Sequence, residues 1–225
     1  MSYTLEVKID GVLIAPCEIE EWEARRVLAV LPKLRRVLKL QAPAHPTPND
    51  LPSLRAELLR LKEQCGRQGL RAVLRKEIRI SGIFTKLIVA LSGSRRRECV
   101  TEVSVVGANA KQIAMAIDDL MSSDTERNRL SNLVACPDHY VLEPRRQILE
   151  VIETTGGSPF PAQFFMHFGD ESGVKSLRDP SYAYQSVGTA RLADGSVIGG
   201  VRHQFRDDGN GAVARLMVEF PALTP

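Results

Sequence analysis

Three of the four histidines, His139, His167 and His203, fall in the second half of this chain, and imidazole is the side chain best matched to proton exchange near neutral pH. His203 stands out by register. In Val197-Ile-Gly-Gly-Val-Arg-His-Gln-Phe205, the residues Val197, Gly199, Val201, His203 and Phe205 share one face of a strand, because side chains alternate with period two. A histidine in an apolar row, with a carboxylate to fix its tautomer, has the parts of a general acid-base. The catalytic candidates are therefore His203 with Asp138 or Asp170 as its orienter. His139, Tyr140, His167, Tyr182 and Tyr184 are the candidates for touching a ligand, while Arg202 and Arg206 project from the opposite face of the strand.

Other chemistries have less to build on. The histidines stand 28 and 36 residues apart, which matches no metal-ligand spacing, and a structural role is the commoner fate of a single histidine; no metal or cofactor is assigned. Nucleophile elbow, P-loop, dinucleotide fingerprint and H-E-x-x-H runs are absent from the sequence, so lyase or isomerase chemistry without a cofactor is the enzymatic reading left open. The four cysteines, Cys17, Cys65, Cys99 and Cys136, form no C-x-x-C pair and read as reduced, mostly buried thiols.

The elements that must position His203 are two successive hairpins between Tyr184 and Phe220. Asp194-Gly195 separates Val187 to Leu192 from Val197 to Phe205, and Asp-Gly between alternating runs signals a tight primed turn. The second turn keeps Arg215 and Glu219 off the apolar face only if Asp207 sits opposite Ala212 and His203 opposite Leu216, leaving a four-residue loop from Asp208 to Gly211. Glycines at 156–157, 188, 199–200, 209 and 211 read more readily as bends of a curved sheet than as approaches to a ligand.

Upstream, Thr4 to Gly11 and Val12 to Ala15 make a short strand and hairpin. Glu18 to Glu23 open a basic helix that Pro32 is expected to kink or restart. The connector Gln41 to Asp50, holding His45, leads to further helices split at Gly66. Residues 86–91 and 99–106 read as a hairpin with Arg95, Arg96 and Arg97 at its tip, the alternative for Ile83 to Leu91 being a helix. Asn109 caps one helix, and Ser123-Asp-Thr-Glu126 predicts the start of the next. Strands near 139–143, 147–154 and 162–168 follow, and Gly169 to Ser181 is a loop or a lid.

The 225 residues divide into 1–45, a strand and basic helix; 46–108, helices and a possible hairpin; and 109–225, a helix pair with six antiparallel strands. Up to residue 112 there are 20 Lys and Arg against 12 Asp and Glu, and afterwards 10 against 15. No run suits a membrane span and the N-terminus lacks a signal-peptide pattern, so the expected location is the cytoplasm. The fold class is α+β: a basic helical segment followed by a curved antiparallel sheet packed on helices. In element order it resembles the helix-grip and cone-shaped folds, which often enclose a pocket. Nine of twelve aromatics lie between Tyr140 and Phe220, so the leading expectation is a pocket for a small, largely apolar molecule, with acid-base chemistry through His203. The alternative is a non-enzymatic module whose basic helices between residues 18 and 80 bind an acidic protein or, less readily, nucleic acid.

Overall fold

Leu5, Val7 and Ile9 alternate with Glu6 and Lys8 to make β1 (Leu5–Ile9), the first element of the computed structural model, which describes residues 5–40, 50–93, 95–155 and 158–222. Asp10 and Gly11 both adopt positive φ, 48° and 82°, and reverse the chain into β2 (Val12–Ile14); a two-residue turn of this kind matches the twist of the strands it joins. Helix α1 (Pro16–Val37) starts on a proline, and Glu18 accepts from the Ala15 N–H at 2.8 Å. It runs through Pro32 without a break. The connector up to Asn49, with His45, and Gly156-Gly157 lie outside the described residues.

Asp50 caps α2 (Leu51–Ser92), accepting from the Ser53 N–H at 2.8 Å. Gly66, at φ 64° and ψ 169°, divides α2 into halves at the expected place. The hairpin expected over 86–106 is not formed: residues 86–92 continue the helix, and only β3 (Arg96–Val106) is a strand. The apolar run from Ile83 to Leu91 holds no turn residue until Ser92-Gly93. Extending an existing helix costs less than ending it and closing a new hairpin.

Asn109 and Gln112 exchange the two bonds of a capping box at the start of α3 (Ala110–Ser122). Ser123 ends α3 instead of starting the next helix; its hydroxyl goes to Asp119 at 2.7 Å, and Thr125 is the cap of α4 (Glu126–Ala135). Six strands follow: β4 (His139–Arg145), β5 (Ile148–Glu153), β6 (Ala162–Phe168), β7 (Tyr184–Arg191), β8 (Val197–Asp208) and β9 (Gly211–Pro221).

All described strands join one antiparallel sheet in the order β2-β1-β3-β9-β8-β7-β6-β5-β4, open at β2 and β4 and not closed into a barrel. Asp207 faces Ala212 and His203 faces Leu216 as the register argument requires, while one more pair, Asp208 with Gly211, shortens the loop to two residues. The first hairpin departs from expectation. A register shift sets Val197 opposite Arg191, so Val197 belongs to the face opposite His203. Gly199 follows the shift at φ 125°, where an added Cβ would meet the Glu219 carbonyl oxygen at 2.1 Å.

Helices cover the His203 face. Ile113, Ala114 and Ile117 of α3 pack on Phe205, Ala212 and Ala214, and Met121 joins the cluster of Leu142, Phe164 and Val201. On the opposite face, α1 and α2 on either side of Gly66 bury Val27, Leu34, Leu61 and Leu74 against Val141 and Ile152; such side chains contribute about 1.5–3 kcal/mol each on leaving water. Residues 169–183 lie on that same face over β7 to β9. Glu219 accepts from the Lys175 and Ser176 N–H groups at 3.0 Å, Gln204 donates to the Asp179 carbonyl at 2.9 Å, and Arg202 pairs with Glu171 at 2.8 Å. Gly200 is needed here, because a Cβ would strike Val174 and the Gly188 carbonyl oxygen. The close approach at this glycine is made by the chain's own loop.

Candidate functional site

The apolar stripe that most resembles a binding surface runs along the second half of α2. That half crosses the end of the sheet at the β7–β8 turn, where Lys86 lies 2.6 Å from Asp194 and Val89 packs with the strand cluster. Ser81, Ile88, Val89 and Ser92 turn inward. Turned outward are Ile80, Ile83, Phe84, Leu87 and Leu91, with Ile83 69% and Phe84 56% exposed. Their spacing of three, four and seven residues is one side of a helix. No acidic residue occurs between Glu77 and Glu98, whereas Arg79, Lys86, Arg95, Arg96 and Arg97 all do. The stripe is flanked along the chain by basic residues, of which Lys86 is paired with Asp194 and Arg96 lies 3.8 Å from Glu219, and large exposed apolar patches mark sites of association.

The candidate catalytic residues are distributed rather than gathered. His203 sits between Val201 and Phe205, opposite Ser186 on β7 and Leu216 on β9. Burial pushes its pKa down to about 4, against a weaker opposing contribution from the Arg202 backbone, so the ring is neutral at pH 7. Among the described residues its buried Nδ1 has no hydrogen-bond partner. Asp170 lies in the loop over the opposite face, where Arg191 and the Ser172 N–H hold its carboxylate well below the usual range. Asp138 stands at the head of β4, four strands along the sheet, and takes two bonds of 2.7 Å from Arg26. Neither carboxylate is hydrogen-bonded to His203. His167, opposite Thr189, is on the Arg202 face. Tyr182 is buried with the Arg206 guanidinium 5.5 Å from its ring centre, and Tyr184 opens β7 opposite Phe205.

Two of the ligand candidates do come together with Asp138. His139 Nδ1 lies 2.8 Å from the Asn132 carbonyl and its Nε2 3.4 Å from Glu153, and the Tyr140 hydroxyl is 3.4 Å from Thr154. Lys62 completes the group from α2. Its ammonium donates to the Pro137 carbonyl at 2.9 Å and lies 5.9 Å from the Tyr140 ring centre. Burial lowers Lys62 to about 8 and raises Tyr140 to about 12; burial and the neighbouring Asp138 raise Glu153 to about 7. Lys62 and Glu153 were not among the sequence candidates. Lys62 had a signal, since it follows Leu58 by four residues on the buried stripe; Glu153, near the polar end of a strand, had none. The cavity against Lys62 and Tyr140 is about 10 Å³, room for a single water and not for a substrate. This is a packed junction of α1, α2, α4 and β4 whose protons are held, not exposed.

A wider cleft of about 590 Å³ opens where α2 breaks at Gly66. Its guanidiniums are already matched: Arg67 with Asp124, Arg71 with Glu143 and Glu150, Arg129 with Glu63 and Arg145 with Glu143. Among the described residues no group of three or more His, Cys, Asp or Glu is placed to share a metal ion, and no helix is long and apolar enough to cross a membrane. No protein-family model and no curated protein matches the chain.

Proposed function

We infer that the protein is a non-catalytic interaction module that docks an acidic amphipathic helix of a partner protein on the second half of α2. The observation that carries this reading is the exposed row Ile80, Ile83, Phe84, Leu87 and Leu91 in a stretch without an acidic side chain. The apolar row supplies buried area for a helix laid along it, and the basic surround selects a partner with carboxylates beside its own apolar row. Self-pairing through this row would instead set Arg79 and Lys86 of one copy against those of another.

A labelled helical peptide with leucines at positions one, four, five and eight and glutamates beside them is the probe. Phe84→Glu is expected to weaken its binding to the full chain by about 10-fold, as loss of a central apolar anchor does. Raising salt from about 50 to about 500 mM should weaken it by a similar factor, because the charge pairs at the rim are screened. Equal affinity of parent and Phe84→Glu would count against the reading. So would preference for anionic vesicles or duplex DNA over the peptide.

A second reading, a site for a small, largely apolar molecule in the sheet, draws on the buried and unpartnered Nδ1 of His203. A ligand donating to that nitrogen would be lost on His203→Leu and partly kept on His203→Gln.

A further inference from the structure

The N-terminal hairpin presents a second apolar surface, of different character. By register Leu5, Val7 and Ile9 of β1 and Val12 and Ile14 of β2 lie on the His203 face. The outermost strand side chain in the α3 cluster is Val103 of β3, so helix cover ends there and Leu5 and Val12 are 58% and 64% exposed. Leu13, on the other face of β2, is 58% exposed. Among the described residues β2 pairs with β1 alone, which leaves its outer N–H and C=O groups as an open edge. Val12-Leu-Ile14 carries no lysine or proline, the residues that ordinarily guard such an edge against a further strand.

We propose that this edge is the seat of a homodimer, in which two copies of the chain pair their β2 strands antiparallel about a two-fold axis and join two sheets into one. An antiparallel seam between identical strands is self-complementary: each N–H that meets a C=O across the axis has its equivalent bond on the other side. The two hairpins then lie side by side, and the apolar rows of Val12 and Ile14 run on from one copy into the other. Charge on the strand itself does not oppose the approach. Val12-Leu-Ile14 carries none, and on β1 Glu6 and Lys8 are paired with each other at 3.0 Å, in contrast to the basic row on α2. The seam is short, one three-residue strand from each copy, against roughly 20–30 residues a side in a standard interface, so a reversible dimer is expected.

Sedimentation of the full chain from about 1 to about 300 µM, a range bracketing such affinities, should show a species of the chain mass giving way to one of twice that mass. Val12→Asp changes an exposed side chain and is expected to raise the dissociation constant by at least about 10-fold, since it sets like charges across the axis. Leu13→Lys, a guard residue on the edge, should do the same where Val12→Asp disturbs the hairpin, with circular dichroism reporting the fold. Phe84→Glu should leave the dimer unchanged. A parent protein that stays at the chain mass throughout overturns the proposal. A dimer that resists both β2 variants, or one that Phe84→Glu dissociates, overturns it as well.

Discussion

His203→Leu is expected to stabilise the protein, by a margin over the parent that grows from about 1 kcal/mol at pH 7 to about 3 kcal/mol or more at pH 4. The folded-state pKa of His203 is lowered to about 4 by burial, while the unfolded chain protonates near 6.5. Between those values the unfolded state binds a proton that the folded state refuses. Stability is present above pH 6.5, falls as pH drops toward 4, and the loss is complete below it. Leucine carries no proton and leaves no unpartnered Nδ1, in a row that already holds Val201 and Phe205. Urea midpoints of parent and variant at pH 7, 5.5 and 4.5 would decide it: two profiles that run parallel would show that His203 does not resist protonation. A loss of stability at pH 7 would show instead that the ring makes a polar contact worth keeping.

The reach of sequence reasoning follows from the distance over which each rule acts. Rules local to a few residues located Asn109 as a cap, Gly66 as a break and Asp207 opposite Ala212. They went wrong where two local signals competed. Ser123-x-x-Glu126 has the pattern of a capping box, but Asp119 one turn back claims the Ser123 hydroxyl. Residues 86–91 are apolar enough for a strand, yet the helix already running from residue 67 absorbs them. Asp194-Gly195 marks its turn, but the glycine pair that follows admits a register shift, and Val197 changes face. The candidate sites were legible in part for the same reason. Register put His203 in an apolar row without any contact being known. What opposes or orients it depends on elements far away in sequence: Asp138 is taken by Arg26, 112 residues earlier, and Asp170 by Arg191 across a loop. The stripe on α2 could not be read as exposed, because an apolar row at helical spacing is ordinarily the buried side, and only the packing of the inward residues Ile88 and Val89 shows which side won.

Glu153→Gln is expected to stabilise the protein by about 2 kcal/mol at pH 7.5 and to have no effect at pH 4. Burial and Asp138 raise the folded-state pKa of Glu153 to about 7, against roughly 4.3 for an unperturbed glutamate. Between these values the folded state holds a proton that the unfolded chain has released, so stability is lost as pH rises through that window. Full desolvation would cost more; a fifth of the side chain still meets solvent, which holds the figure near 2 kcal/mol. Glutamine keeps the shape and can still meet His139 Nε2 at the 3.4 Å now spanned by the carboxylate, but it has no charge to desolvate. The slope is opposite in sign to that of His203, and the two windows overlap between about pH 4.5 and 6.5. The parent should therefore show a nearly flat stability profile there. His203→Leu should tilt it toward greater stability in acid, and Glu153→Gln toward greater stability at neutral pH. Because β5 and β8 are separated by β6 and β7, the two effects should add in the double variant and restore a flat profile at a higher level. Thermal denaturation of the four proteins at three pH values tests this, and a Glu153→Gln variant no more stable than the parent at pH 7.5 would place the Glu153 carboxylate in water and not in the junction with Lys62, His139 and Tyr140.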